Sequence, residues 1–165
     1  MYTKVQDFLN EWKYESEGTL KLFALLTDEV LDKKVHERVR TAGFLAWHIT
    51  HTVKEMMEKT GLSIDGKNQT DYNGETVKEI CDTYKQSSDS LVQQLANWTD
   101  ADLEKQDEMY GEKWKRGVTL GILIKHQAHH RGQLEIIMRL HGLRVTGVDG
   151  PAYEEGTQWG MEPMK

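Results

Sequence analysis

The string K-H-Q-A-H-H-R-G-Q carries His126, His129 and His130, three of the chain's seven histidines. On a helix His126 and His130 are four residues apart and point within about 40° of each other. Both imidazoles can then aim at one ion, which makes the pair half of a metal site. A lone histidine on an apolar stripe is more often a hydrogen-bonded core residue, so the other half must come from elsewhere in the chain. His48, in F-L-A-W-H-I-T, is the candidate, and Glu55 follows it two turns later on the same edge. Gln133 lies beside His126 at the edge of its stripe. Glu55 and Gln133 are candidates to support the ligands or to add a weak fourth one. His129 falls on the outer face and reads as solvated. His51 falls further round than His48 and reads as exposed, although a rotated helix would let it take the place of His48.

These residues need helices to position them. Leu120, Leu123, Ile124, Leu134, Ile137 and Met138 form a helical stripe. It predicts a helix from a cap at Thr119 to Leu143, ending at Gly142. Ala42, Leu45, Ile49, Val53 and Met56 predict another over Thr41–Thr60, with His48 at the edge of its apolar face. A third runs from about Thr76, whose spacing to Glu79 is that of a capping box, to Trp98. The first spans Thr3–Leu26 on Val5, Phe8, Leu9, Trp12, Leu20, Phe23 and Leu26, and Gly18 weakens it by about 1 kcal/mol relative to alanine. Thr27–Arg40 reads as a connection, Ser63–Gly74 as a loop, and Met109–Gly117 as a turn or hairpin-like lobe. Both prolines, Pro151 and Pro163, fall in the irregular tail that begins at about Arg144. Nothing before Gly150 interrupts long helices, and no stretch alternates convincingly as a strand. The expectation is an all-α protein, a four-helix bundle forming one domain over residues 1–165.

Bulk properties narrow the function. The net charge is −6 and no long basic run exists, which argues against a nucleic-acid partner. One cysteine, Cys81, excludes an internal disulfide and suits a reducing compartment. It borders the third helix's seam and reads as a small buried residue rather than a reactive thiol. The first residues lack a signal peptide's apolar core, and no apolar run approaches the roughly 20 residues of a membrane span. A soluble cytoplasmic protein with no membrane partner is expected.

Phe44–Thr50 (F-L-A-W-H-I-T), Ile124–Leu134 (I-K-H-Q-A-H-H-R-G-Q-L), the helix opening Thr119-Leu120-Gly121 and the tail string G-V-D-G-P-A-Y resemble the DinB family, grouped with YfiT-like proteins. The likeness runs through essentially the whole chain in order. It implies a four-helix bundle whose second and fourth helices are neighbours. It also implies three metal ligands, at His48, His126 and His130, with none missing. Members of the family commonly form homodimers and carry nickel or zinc. Some transfer a low-molecular-weight thiol, such as bacillithiol, mycothiol or glutathione, to an electrophile.

Three imidazoles leave a divalent ion an open position, the composition of a catalytic rather than a structural site. The leading expectation is a metal-dependent thiol transferase acting on a small molecule. The alternatives are a metal-dependent hydrolase and a non-catalytic, stress-linked metal binder or sensor. Trp47 and Trp114 read as exposed aromatics useful at a dimer interface.

Overall fold

A computed structural model describes residues 1–71, 73–160 and 162. Four long helices dominate it: α1 (Val5–Phe23), α2 (Ala42–Glu58), α3 (Val77–Leu95) and α4 (Arg116–Leu140). Thr41 caps α2 by accepting a hydrogen bond from the Phe44 amide. Thr76 and Glu79 form the expected capping box at the start of α3. At the end of α4, Gly142 takes φ +77° and the Leu143 amide reaches back to the Met138 carbonyl at 2.9 Å. That closure satisfies carbonyls the helix leaves open.

The start of α4 differs from the expectation. The helix begins three residues before Thr119, whose hydroxyl bonds the Lys115 carbonyl inside the first turn instead of capping. The cause is a hairpin that feeds straight into the helix. Strands β1 (Gln106–Met109) and β2 (Glu112–Lys115) pair antiparallel, with Met109 opposite Glu112. Tyr110 and Gly111 turn the chain with φ +55° and +86°, the two positive angles of a tight hairpin loop. Arg116 then anchors the helix start, its guanidinium holding the Asp107 carboxylate at 2.9 and 3.2 Å. Met109 and Trp114 are the apolar residues of the two strands, too few for an alternating pattern to announce them.

α2 packs against α3 and α4, and α1 packs against the same two helices. Of the helix pairs consecutive in sequence, α2 with α3 pack directly, whereas α1 with α2 and α3 with α4 are not principal neighbours. Their long connections carry the chain across the bundle. The core contains every apolar position expected on α2 and α4. Polar groups inside it are paired across helices. Trp12 donates to the Ser88 hydroxyl at 2.9 Å, and Tyr84 donates to Gln127, whose amide donates in turn to the Ile49 carbonyl.

The tail is pinned to the bundle. Arg131, almost wholly buried, holds Glu15 and Thr19 of α1 and Asp149 of the tail. Glu155 accepts from Thr146, Gly147 and Ala152. Gly18 is where the tail touches α1, because a Cβ there would lie 2.4 Å from Val148 Cγ1. The glycine that weakens α1 locally is thus what admits Val148. Aromatic packing of the tail is not seen at Tyr153, which is exposed. The Trp159 side chain and Pro163 lie outside the described residues.

Trp47 corrects another expectation. It is 2 % exposed, and its indole N–H donates to the Gln69 carbonyl at 3.3 Å. The loop between α2 and α3 folds over this flank of α2 and removes Trp47 from any outer surface. Trp114 is partly buried, with its indole N–H on Glu112. No described helix is long and apolar enough to cross a membrane.

Candidate metal centre

α2 and α4 run side by side, and this brings His48 to the pair on α4. The ligand-capable atoms of His48, His126 and His130 all lie within 4.8 Å of one another. His48 Nε2 is 3.2 Å from His126 Nε2 and 3.2 Å from His130 Nε2. Two nitrogens each about 2.0–2.1 Å from one ion, at a tetrahedral angle, lie about 3.3–3.4 Å apart. The spacing therefore fits a shared divalent ion.

Electrostatics supports the same fit. Burial, reinforced by the neighbouring histidines, lowers His48 to about 3 and His126 to about 4. Burial also lowers His130, with Gln133 opposing it. Protonation is disfavoured, so inward nitrogens present lone pairs to one another at close range. A divalent cation is the charge that such a cluster accommodates.

Two of the three rings are oriented from behind, as metal-binding histidines usually are. His130 Nδ1 donates to Gln133 Oε1 at 2.8 Å, which turns its Nε2 inward. Gln133 also contacts His129 Nε2 through its amide nitrogen at 3.1 Å. His48 Nδ1 lies 3.3 Å from His51 Nε2, and a proton on that Nδ1 likewise leaves the Nε2 lone pair inward. His126 is held differently: its Nδ1 is buried without a hydrogen-bond partner among the described residues.

His51 is the residue that sequence reasoning misplaced. It is 5 % exposed rather than solvated, and it stands behind His48 instead of replacing it. The same loop that buries Trp47 covers it, with Asn68 and Gln69 beside it. Its histidine identity three residues after His48 was the only local signal. His129 is exposed, as read from the wheel. Glu55 makes no hydrogen bond to the three histidines. It accepts from the Tyr110 hydroxyl at 2.5 Å and pairs with Lys59 at 3.4 Å. The loop conformation at Tyr110 thus places an aromatic hydroxyl beside Glu55 at the mouth of the site.

Two clefts flank the triad. One, of about 420 Å³, carries His48, His126, His51, Glu55, Gln69 and Tyr110 on its walls, together with Met56 and Ile122. The other, of about 660 Å³, reaches His130 and Gln133 and is walled mainly by apolar side chains. Cys81 belongs to neither; it is half-buried against the core, and burial raises its thiol pKa.

The family model described as DinB family matches residues 1–161. The chain belongs to the DinB family. A relative described as uncharacterized protein YrdA, from Bacillus subtilis (strain 168), is 36% identical over 167 residues, spanning 100% of this chain and 99% of the relative. A solved DinB-like protein from Bacillus cereus ATCC 10987 superposes with TM-score 0.80 at 35% identity, covering 90% of this chain and 99% of its own. A second DinB-like protein, YjoA of Bacillus subtilis, matches with TM-score 0.66 at 19% identity over 89% of this chain and 96% of its own, a likeness of fold. Membership agrees with the helical bundle and with a histidine cluster able to hold a metal ion.

Proposed function

We propose that this DinB-family protein is a divalent-metal enzyme that transfers a low-molecular-weight thiol to an electrophilic small molecule. The observation that carries the reading is the convergence of His48, His126 and His130, held neutral by burial, between two clefts. A two-substrate reaction needs two approaches to one centre, and this arrangement offers them.

His48, His126 and His130 would hold the ion, zinc or nickel, since imidazole suits both. Bound there, the ion would supply charge enough to keep a thiol deprotonated at neutral pH. The chain's own residues do the positioning. Gln133 fixes the ring of His130, and His51 backs His48. Glu55, Tyr110 and Gln69 offer polar partners to a hydrophilic thiol such as bacillithiol. Cys81, half-buried and with its thiol pKa raised, is not the nucleophile.

The test uses purified, metal-loaded protein with bacillithiol, mycothiol and glutathione, each offered to a panel of electrophiles. Thiol consumption faster than in the same mixture containing the His130→Ala variant is the expected result. Full activity after complete metal removal would overturn the mechanism. Stable metal retention without turnover of any thiol would leave a metal-binding protein that is not a transferase.

A further inference from the structure

We propose that the larger cleft selects an amphipathic acid, with Arg40 as the residue that binds its carboxylate. This rests on the thiol-transfer reading and names the substrate class for its second reactant.

The argument starts from charge. The chain carries 27 acidic and 21 basic side chains, yet no carboxylate lines the 660 Å³ cleft. Its charged wall residues are Arg38 and Arg40. Arg38 points into solvent and lies 3.7 Å from Glu37. Arg40 makes no ion pair or hydrogen bond among the described residues; its guanidinium sits over the Phe44 ring, 4.8 Å from the centroid. Phe44 in turn lies nearly parallel to His48, with centroids 6.1 Å apart and planes 16° apart. Phe44 and His48 are one turn apart on α2, and Arg40 lies just before the helix cap, over the Phe44 face. The stack therefore points an uncompensated guanidinium along the same edge that carries a triad histidine.

Apart from His129, His130 and Gln133 at the triad end, the rest of the wall is apolar. Val39, Leu45, Ile136 and Leu140 face the space between Arg40 and His130, and Val39, Ile136 and Leu140 remain substantially exposed. A volume of this size suits a mid-sized organic molecule. A guanidinium at one end calls for a carboxylate, which it can grip with two parallel hydrogen bonds. The apolar wall calls for a hydrocarbon or aromatic body. The opposite cleft carries the Glu55 carboxylate, which repels an acid and leaves that side to the thiol. The larger cleft is left to the electrophile, its acid group on Arg40 and its reactive end towards His130.

Octanoate and its neutral isostere octanamide serve as probes, titrated by calorimetry into the metal-loaded protein and into the chelated protein. Octanoate is expected to bind saturably and at least tenfold more tightly than octanamide, in both forms. Arg40→Gln should remove that tenfold preference and leave octanamide binding unchanged, whereas Arg40→Lys should restore part of it. Arg38→Gln should change the preference less than threefold. Equal affinity for the two probes, no binding of either, or an unchanged preference in Arg40→Gln would each overturn the proposal. So would octanoate binding that vanishes on chelation but survives Arg40→Gln, because the acid would then sit on the metal. Selective octanoate binding by a protein that turns over no thiol would uphold the cleft while refuting thiol transfer. Thiol transfer with equal preference for neutral and acidic electrophiles, unchanged in Arg40→Gln, would do the reverse.

Discussion

Metal uptake by this site should release few protons, although three histidines receive the ion. An ordinary histidine titrates near pH 6.5, so at pH 6.0 each is about 0.76 protonated and three such ligands would release about 2.3 protons. Here His48 sits at about 3 and His126 at about 4. At pH 6.0 those values correspond to roughly 0.001 and 0.01 bound protons. His130, also lowered, carries less than the ordinary share. Release at pH 6.0 should therefore be below about 0.8 proton per ion, a threefold difference from an unperturbed site. Zinc titrations in buffers of differing ionisation enthalpy measure this number directly. The same shifts have a sign for folding. The unfolded histidines take up protons first, so the contribution of His48 and His126 to stability is complete above about pH 6.5 and falls as the pH drops from there towards their folded values. Release of two or more protons at pH 6.0 would show that the metal-free rings are solvated and separate. The packing argument for a preformed centre would then fail.

Alanine at His126 or His130 should abolish stoichiometric metal by elemental analysis, whereas His129→Ala should retain it and Cys81→Ser should retain both metal and turnover. His51→Ala removes only the group behind His48, so it should weaken metal affinity by about 10–100-fold without eliminating binding, measured by chelator competition. Gly18→Ala gains about 1 kcal/mol of helix propensity but meets Val148 Cγ1, an overpacking cost of about 1–3 kcal/mol, so urea unfolding should show no net gain. In a Val148→Ala background the same substitution should stabilise by about 1 kcal/mol, and a loss there would refute the contact. Light scattering at tens of micromolar should give a homodimer mass, as the family resemblance implies; a monomer would count against it.

Much of this protein was legible without coordinates because its signals are local. Helical periodicity located four helices, since a helix must bury one stripe whatever it packs against. Thr76 with Glu79 and the turn at Gly142 are decided by a few adjacent backbone groups. The i,i+4 geometry of His126 and His130 follows from helix pitch alone. The partners of Arg131, which are Glu15, Thr19 and Asp149, are distant in sequence, and no local pattern announces them.

What tertiary structure decided is which flank of each helix is covered, and by what. Trp47 and His51 read as outward-facing on α2, yet the loop that reaches Gln69 lies over both. A polar loop has no periodicity from which its docking could be inferred. The hairpin was hidden for a related reason, because its strands bury little beyond Met109 and present no alternation. That hairpin moved the start of α4 from Thr119 to Arg116 and set Tyr110 against Glu55. Gly18 reads as a weak point in a helix until Val148 is brought against it from 130 positions away. The triad divides the same way. Helix pitch pairs His126 with His130, and only the packing of α2 on α4 brings His48 within 3.2 Å of both.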